Sequence, residues 1–466
     1  MQKLPQNKMA TRPIGPLIIT MGLPIMLSMM IQALYNVVDS IFIAQISEEA
    51  LTAVSLAFPI QMLMISVGVG TSIGVNSLLS RRLGAHHYKE ASSVAVHGLF
   101  LALVSWVVFA LSGAILTPYF FQLFTDSTPI IAMGQSYLLI CTIFSLGIFT
   151  QLICERIMQG TGDTIHPMIT QGTGAIINII LDPIFIFGYF GVPKMGVAGA
   201  AIATILGQWS AMGLSLFFML RKTPELQFKF KGFRPKKRVI KEIYQVGLPS
   251  MIMQSIGSVM TISMNTILIS FTATAVAVFG VYFKLQSFIF LPVFGLAAAM
   301  ISIVAFNYGA RDKERIIKTI KNAIAIVFLV MMVGLAIFQF FPRFLLELFN
   351  ASPEMMEIGM KALRIISLAF PLAGIAIVLS SSFQALGKGF YSLFVSIIRQ
   401  LVVLLPSAYL LSILSGLDAV WFAFLISEIV CLVVSLWLYA RLYRRNIQTL
   451  DLHPETAIPP QSIENN

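Results

Sequence analysis

Residues 15–44 read GPLIITMGLPIMLSMMIQALYNVVDSIFIA, an unbroken apolar run whose one charged side chain is Asp39. At 1.5 Å per residue, about 20 such residues already cross a hydrocarbon core of ~30 Å. The run is too long for the h-region of a signal peptide, and no small-residue cleavage site leads from it into a soluble domain. It is expected to be the first of many spans. Comparable runs follow at 51–80, 93–117, 129–154, 165–189 and 196–220, then at 243–270, 274–305, 316–341, 357–383, 390–413 and 418–440. Only 11% of the 466 residues are charged and the mean hydropathy is +0.87, whereas soluble domains carry roughly a quarter charged residues. The bilayer is the solvent for this chain, and the expected fold is all-α, with twelve transmembrane helices.

The net charge of +11 does not point to nucleic acid, because the basic residues sit in the short connections. One side of the expected topology holds Lys3, Lys8, Arg12, Arg81, Arg82, Lys89, Arg156, nine basic residues from Arg221 to Lys241, Arg311, Lys313, Arg315, Lys318, Lys321, Lys388, Arg441, Arg444 and Arg445. The other side holds Lys194 and Arg343 and collects Glu48, Glu49, Asp126, Glu347 and Glu354. Positive charge stays in the cytoplasm, so both termini are expected there, in agreement with an even number of spans. The tail after Arg445 is polar and contains Pro454, Pro459 and Pro460; it is expected to be disordered. Cys141, Cys154 and Cys431 all lie inside apolar runs and read as packing residues rather than a disulfide or metal set.

The Gly22-Leu23-Pro24 of the opening run recurs as Gly247-Leu248-Pro249, 225 residues later. At the same offset Phe58 matches Phe283, Gln61 matches Gln286, Gly70 matches Gly295, Gly84-Ala85 matches Gly309-Ala310, and Gln159 and Gly162 match Gln384 and Gly387. One register without insertions across about 140 residues means two six-helix bundles. Six spans per half leave both halves in the same orientation, related by a pseudo-two-fold axis along the membrane normal. The expected domains are an N-lobe at 1–220, a cytoplasmic linker at 221–242, a C-lobe at 243–445 and the tail at 446–466. A transported molecule would pass between the lobes.

Ionisable groups inside a bilayer cost ~2.5 to 3.5 kcal/mol each on insertion scales, so those that remain are functional candidates. Asp39 and Asp182 both fall ~10 Å below the outer surface by helix rise. Asn178 precedes Asp182 by four residues on the same helical face, and Thr204 has a similar depth in helix 6. Two carboxylates, an amide and a hydroxyl suit Na⁺, or a proton shared between like charges. In the second bundle, Arg399 and Glu428 both fall near the midplane, where each can neutralise the other, and Lys284 reaches a similar level as a second partner for Glu428. Pro24 removes a backbone hydrogen bond in the middle of helix 1 and reads as a bend or hinge.

These residues together resemble the multidrug and toxic compound extrusion family. The matching stretches are Gly22-Leu23-Pro24 with Val38-Asp39, Gln159-Gly160-Thr161-Gly162-Asp163, Asn178 to Asp182-Pro183, Gly196-Val197-Ala198-Gly199-Ala200-Ala201 and Phe306-Asn307-Tyr308-Gly309-Ala310. The resemblance implies two lobes around a central cavity and export of amphipathic cationic, drug-like compounds in exchange for H⁺ or Na⁺, by alternating access. Asp39, Asn178, Asp182 and Thr204 are similar to that family's N-lobe cation site, with Ala200 one turn before Thr204, and Pro24 to its helix 1 bend. Many members carry acids in helices 7 and 10. Here helix 7 offers Asn265 and no acid and the core of helix 10 has none, which is similar to the DinF-like branch.

What the resemblance implies further is a monomer in the bacterial cytoplasmic membrane, surrounded by lipid, needing no cofactor beyond the coupling ion. An enzyme is not expected, since the chain has no Walker A sequence, no HExxH and no clustered Cys and His. The alternative from the same superfamily is a flippase for lipid-linked oligosaccharides, which would use cations in the cavity; only Lys284 and Arg399 could serve.

Overall fold

A computed structural model of the chain describes residues 7 to 452, and they are almost entirely helical. Ten helices are long and apolar enough to cross a membrane, and two bent helix pairs bring the number of spans to twelve. In chain order these are span 1 (Ile14–Ala44), span 2 (Glu48–Gly84), span 3 (Tyr88–Leu123), span 4 (Thr128–Ile143 with Leu146–Thr161), span 5 (Ile165–Phe187) and span 6 (Gly196–Lys222). Then come span 7 (Lys237–Ile269), span 8 (Ala273–Gly309), span 9 (Lys313–Phe340), span 10 (Pro353–Ser367 with Phe370–Ala385), span 11 (Gly389–Ser415) and span 12 (Leu417–Leu450). Leu111, Ile115, Ile262, Leu329 and Val433 are 60–67% exposed. Apolar surface of that extent, spread over several spans, is suited to lipid rather than water.

The repeat in the sequence is also a repeat in backbone conformation. Gly162 and Gly387 both take positive φ, 101° and 76°, just past the helices that end at Thr161 and Ala385. At each, the next residue closes the helix end: the Asp163 N–H donates to Met158 O at 2.9 Å and the Lys388 N–H to Phe383 O at 2.8 Å. His86 and Arg311, also 225 apart, share φ near +58° at the ends of spans 2 and 8.

Span 4, expected as one apolar run at 129–154, is bent by 44°. The break at Phe144-Ser145 opens carbonyls that long-range donors then fill. The Trp106 indole N–H donates to Ile143 O at 2.7 Å, and the Trp209 indole N–H to Phe144 O at 3.0 Å. Gly147 lets the Trp209 ring come close, since a Cβ there would lie 2.7 Å from it. Span 10 bends by 46° just before Pro371, and the Gln339 amide donates to the exposed Arg364 O at 2.7 Å.

The chain forms two compact units, neither of them one continuous stretch. The first comprises Leu27–Leu83 and His87–Gly247; the second comprises residues 7–26, Gly84–His86 and the chain from Leu248 on. Span 1 therefore passes from the second unit to the first just after Pro24, and span 7 passes from the first to the second just before Pro249. Close glycine contacts seat the two exchanged segments. In the second unit, a Cβ on Gly22 would lie 2.8 Å from the Leu296 side chain, and one on Gly295 would overlap Met26. In the first unit, a Cβ on Gly247 would lie 3.0 Å from the backbone oxygen of Gly70. Small residues let helix backbones approach in this way inside membranes. They are the same Gly22/Gly247 and Gly70/Gly295 pairs that recur at offset 225.

Helical structure does not stop at Arg445. Tyr443–Ile447 form a π-turn and Gln448–Leu452 a 3₁₀ turn, because Ile447 is fully buried and Asn446 reaches the Tyr308 hydroxyl at 3.5 Å. The rest of the expected disordered tail, with its three prolines, lies outside the described residues.

Candidate functional site

The polar residues of the first unit converge at one place. The Asp39 carboxyl, from the last third of span 1, lies beside the Asp182 carboxyl from span 5. The Asn178 amide donates to Asp182 Oδ1 at 3.4 Å and to Thr204 Oγ1 of span 6 at 3.3 Å. Spans 1, 5 and 6 thus each bring a side chain to the cluster, as helix rise and periodicity led one to expect. Register between spans 1 and 5 is set about 10 Å away along the helices. There, seven residues before Asp39 and Asn178, Gln171 Nε2 donates to Gln32 Oε1 at 3.0 Å. Pro183 follows Asp182 inside span 5 and has no N–H for the Ile179 carbonyl, which adds a backbone acceptor to this level of the helix. Ala200 is fully buried among Ile186, Val197 and Cys141, and its small side chain lets span 6 approach closely.

Asp182 and Asn178 are almost wholly buried, at 0% and 2% exposure. Three buried oxygens in the cluster, Asp39 Oδ1, Asn178 Oδ1 and Asp182 Oδ2, accept no hydrogen bond from the described residues. Two carboxyls can share a hydrogen bond only if one carries a proton, and two carboxylates in contact need a cation between them. Oxygen acceptors without donors, together with a hydroxyl, form a donor set suited to a proton or a hard monovalent cation.

Four further residues, which the sequence reading did not place at this site, complete the surroundings. The Tyr35, Tyr137 and Cys141 side chains lie near enough to Asp39 to feel its charge. Gln61 Nε2 donates to the Tyr137 hydroxyl at 3.1 Å and contacts Cys141 Sγ at 3.8 Å. Gln61 did carry a signal, as one of the repeated positions. Tyr35 sits one turn before Asp39 on the same face of span 1.

The second unit holds a separate polar centre. Arg399 Nη1 and Glu428 Oε1 are 3.6 Å apart, as expected for two midplane charges that neutralise each other. Lys284 does not join them. It is exposed and stands over the Phe349 ring at 5.9 Å. Tyr282, Phe283, Gln286 and Phe290 carry the face of span 8 turned toward Arg399 and Glu428. At 100° per residue Lys284 lies 200° from both Tyr282 and Gln286, on the opposite face. Pro24 is buried within span 1, whose helix runs through it without interruption.

Comparison with known proteins agrees with this architecture. The MatE family model matches residues 24–184 and again 249–410, so its two copies start 225 residues apart. The chain is 26% identical over 431 residues to the multidrug export protein MepA of Staphylococcus haemolyticus, covering 92% of this chain and 94% of that one. It is 24% identical over 437 residues to an FAD transporter of Shewanella oneidensis, covering 94% and 97%. Among solved structures, a MOP superfamily transporter from Pyrococcus furiosus superimposes with a TM-score of 0.87 at 27% identity, covering 97% of this chain and all of that one. Duplicated helices, a carboxylate cluster in the first unit and two successive family matches lead to one conclusion: the chain belongs to the MatE family of multidrug and toxic compound extrusion transporters.

Proposed function

We propose that this protein is a secondary active exporter of amphipathic cationic drugs, driven by H⁺ or Na⁺ entering at Asp39, Asp182, Asn178 and Thr204. The observation that carries the reading is the contact between the Asp39 and Asp182 carboxyls, buried beside oxygens that lack donors. A monovalent cation held between the two carboxylates offsets one of their charges and relieves their repulsion; its release restores that repulsion and pushes span 1 away from span 5. Span 1 also continues into the other compact unit through Pro24, so a change at Asp39 has a covalent route to that unit. The export function itself is supported by the family and by the MepA relative. The flippase alternative depended on cations in the cavity. Of the two it had, Lys284 stands off the polar centre, and Arg399 has an acid, Glu428, 3.6 Å away that would repel a pyrophosphate.

In this reading the protein works as a monomer in the bacterial cytoplasmic membrane with both termini inside. In a drug-sensitive bacterial host the protein should lower ethidium accumulation, and Asp39→Asn should abolish the effect at equal expression. Undiminished efflux by both Asp39→Asn and Asp182→Asn would refute the coupling site. Proteoliposomes given a pH gradient and then a Na⁺ gradient identify the driving ion.

A further inference from the structure

Around Arg399 and Glu428 the second unit holds a partly open cavity of about 80 Å³, whose largely apolar wall includes Tyr282, Phe283, Gln286 and Phe424 beside the two charges. A water needs roughly 10–15 Å³ of such space, so several waters or a small head group fit. Three features mark a built site. First, residues Ile398–Leu404 of span 11 wind as a π-turn, a rare and often functional distortion, and both Arg399 and its neighbour Gln400 reach the cavity wall. The distortion is held in place by Ser427, whose hydroxyl donates to Arg399 O at 2.5 Å, and by Gln400 Nε2, which donates to Ser396 Oγ at 2.9 Å.

Second, the charges are under-coordinated. At 3.6 Å the pair is longer than the 2.7–2.9 Å of a charge-assisted hydrogen bond. Glu428 Oε2 is buried with no donor among the described residues. Arg399 has five N–H donors and shows no closer polar partner there than Glu428. Third, the wall repeats that of the carboxylate cluster in the first unit. Met260, Gln286 and Ile366 line the cavity 225 residues after Tyr35, Gln61 and Cys141. The same place in each bundle is thus polar, with two acids in one and an acid with a base in the other.

We propose that this cavity is a second ligand site, which takes the zwitterionic head group of a small molecule, its carboxylate on Arg399 and its ammonium on Glu428. A lone anion would meet Glu428 as well as Arg399, and a lone cation the reverse. A ligand carrying both charges satisfies the spare guanidinium donors and the unpartnered carboxylate oxygen together. The rings of Tyr282, Phe283 and Phe424 then cover its apolar body. The proposal rests on the exporter reading only in making the ligand a transported compound; the binding stands on the cavity alone.

The test uses the purified full-length protein in lipid nanodiscs, titrated calorimetrically with phenylalanine, its methyl ester as a cation and its N-acetyl derivative as an anion. Phenylalanine is expected to bind about ten-fold or more tighter than either analogue. Arg399→Gln should shift the preference to the ester and Glu428→Gln to the N-acetyl compound, an inversion that a merely structural ion pair would not produce. If either single variant fails to fold, the double variant, which leaves no unpaired charge at the site, decides: it should bind all three probes alike. Equal binding of the three by the unaltered protein, or a phenylalanine preference that survives in the double variant, overturns the proposal and leaves a cavity that holds water only. Ethidium efflux, measured in parallel, tests the exporter reading separately.

Discussion

The close crossing of spans 1 and 8 in the second unit gives a quantitative test. Alanine at Gly295 places a Cβ against Met26 Cγ, 2.9 Å from the Met26 nitrogen and 3.0 Å from its Cα. The methionine side chain can swing aside, but the backbone of span 1 cannot, so the helices must separate. Overpacking of this kind costs about 1–3 kcal/mol. For a unit of roughly 200 residues that corresponds to a fall in Tm of about 2–12 °C. Gly280 lies in the same span with no heavy atom within 4 Å of the added carbon. There the better helix propensity of alanine should raise stability by up to about 1 kcal/mol. The two Gly→Ala variants would be compared by thermal unfolding in one detergent, followed by fluorescence-detected size exclusion. If Gly295→Ala is as stable as Gly280→Ala, glycine does not set the approach of the two helices and the packing argument fails.

Trp209→Phe removes the N–H that satisfies Phe144 O at the bend of span 4. It should destabilise the protein by about 1–3 kcal/mol, seen as a lower midpoint in thermal unfolding, while Trp437→Phe, at an exposed residue, should not. His97 accepts the Lys236 backbone N–H at 2.9 Å through Nε2 and pins the connection before span 7. His97→Leu should therefore speed trypsin cleavage between Lys229 and Arg238, read by mass spectrometry of the fragments. Burial pushes the Glu225 carboxyl in that connection above its ordinary range, with only a backbone hydrogen bond opposing. The folded state then holds the proton more firmly than the unfolded one, so stability falls as pH rises through the raised value. Glu225→Gln should flatten that part of the profile of Tm against pH.

Helix number and the repeat were legible because hydropathy and a fixed offset are properties of the chain alone. The meeting of Asp39, Asn178, Asp182 and Thr204 could be anticipated because helix rise gives depth, and residues four apart share a face. Depth says nothing about azimuth across different helices, and that is how Lys284 came to be assigned to Glu428 while the structure turns it away. The bend in span 4 was hidden for a different reason. Its stabilising donors, Trp106 and Trp209, come from spans 3 and 6, and nothing between Thr128 and Thr161 announces them. Tyr35, Tyr137 and Cys141 escaped because each looks like an ordinary core residue until its neighbours are known.

The exchange of leading helical segments between the two units bears on how this protein could be divided. A fragment ending within residues 223–236 would carry residues 14–26, whose packing partner Leu296 is on the other piece, and would lack residues 237–247, which belong with its own unit. Each half would be left with an unfilled groove and a surplus strap. Each unit therefore takes one helical segment from the far side of the repeat boundary, so a cut at the middle of the sequence removes from each unit a part of its own chain.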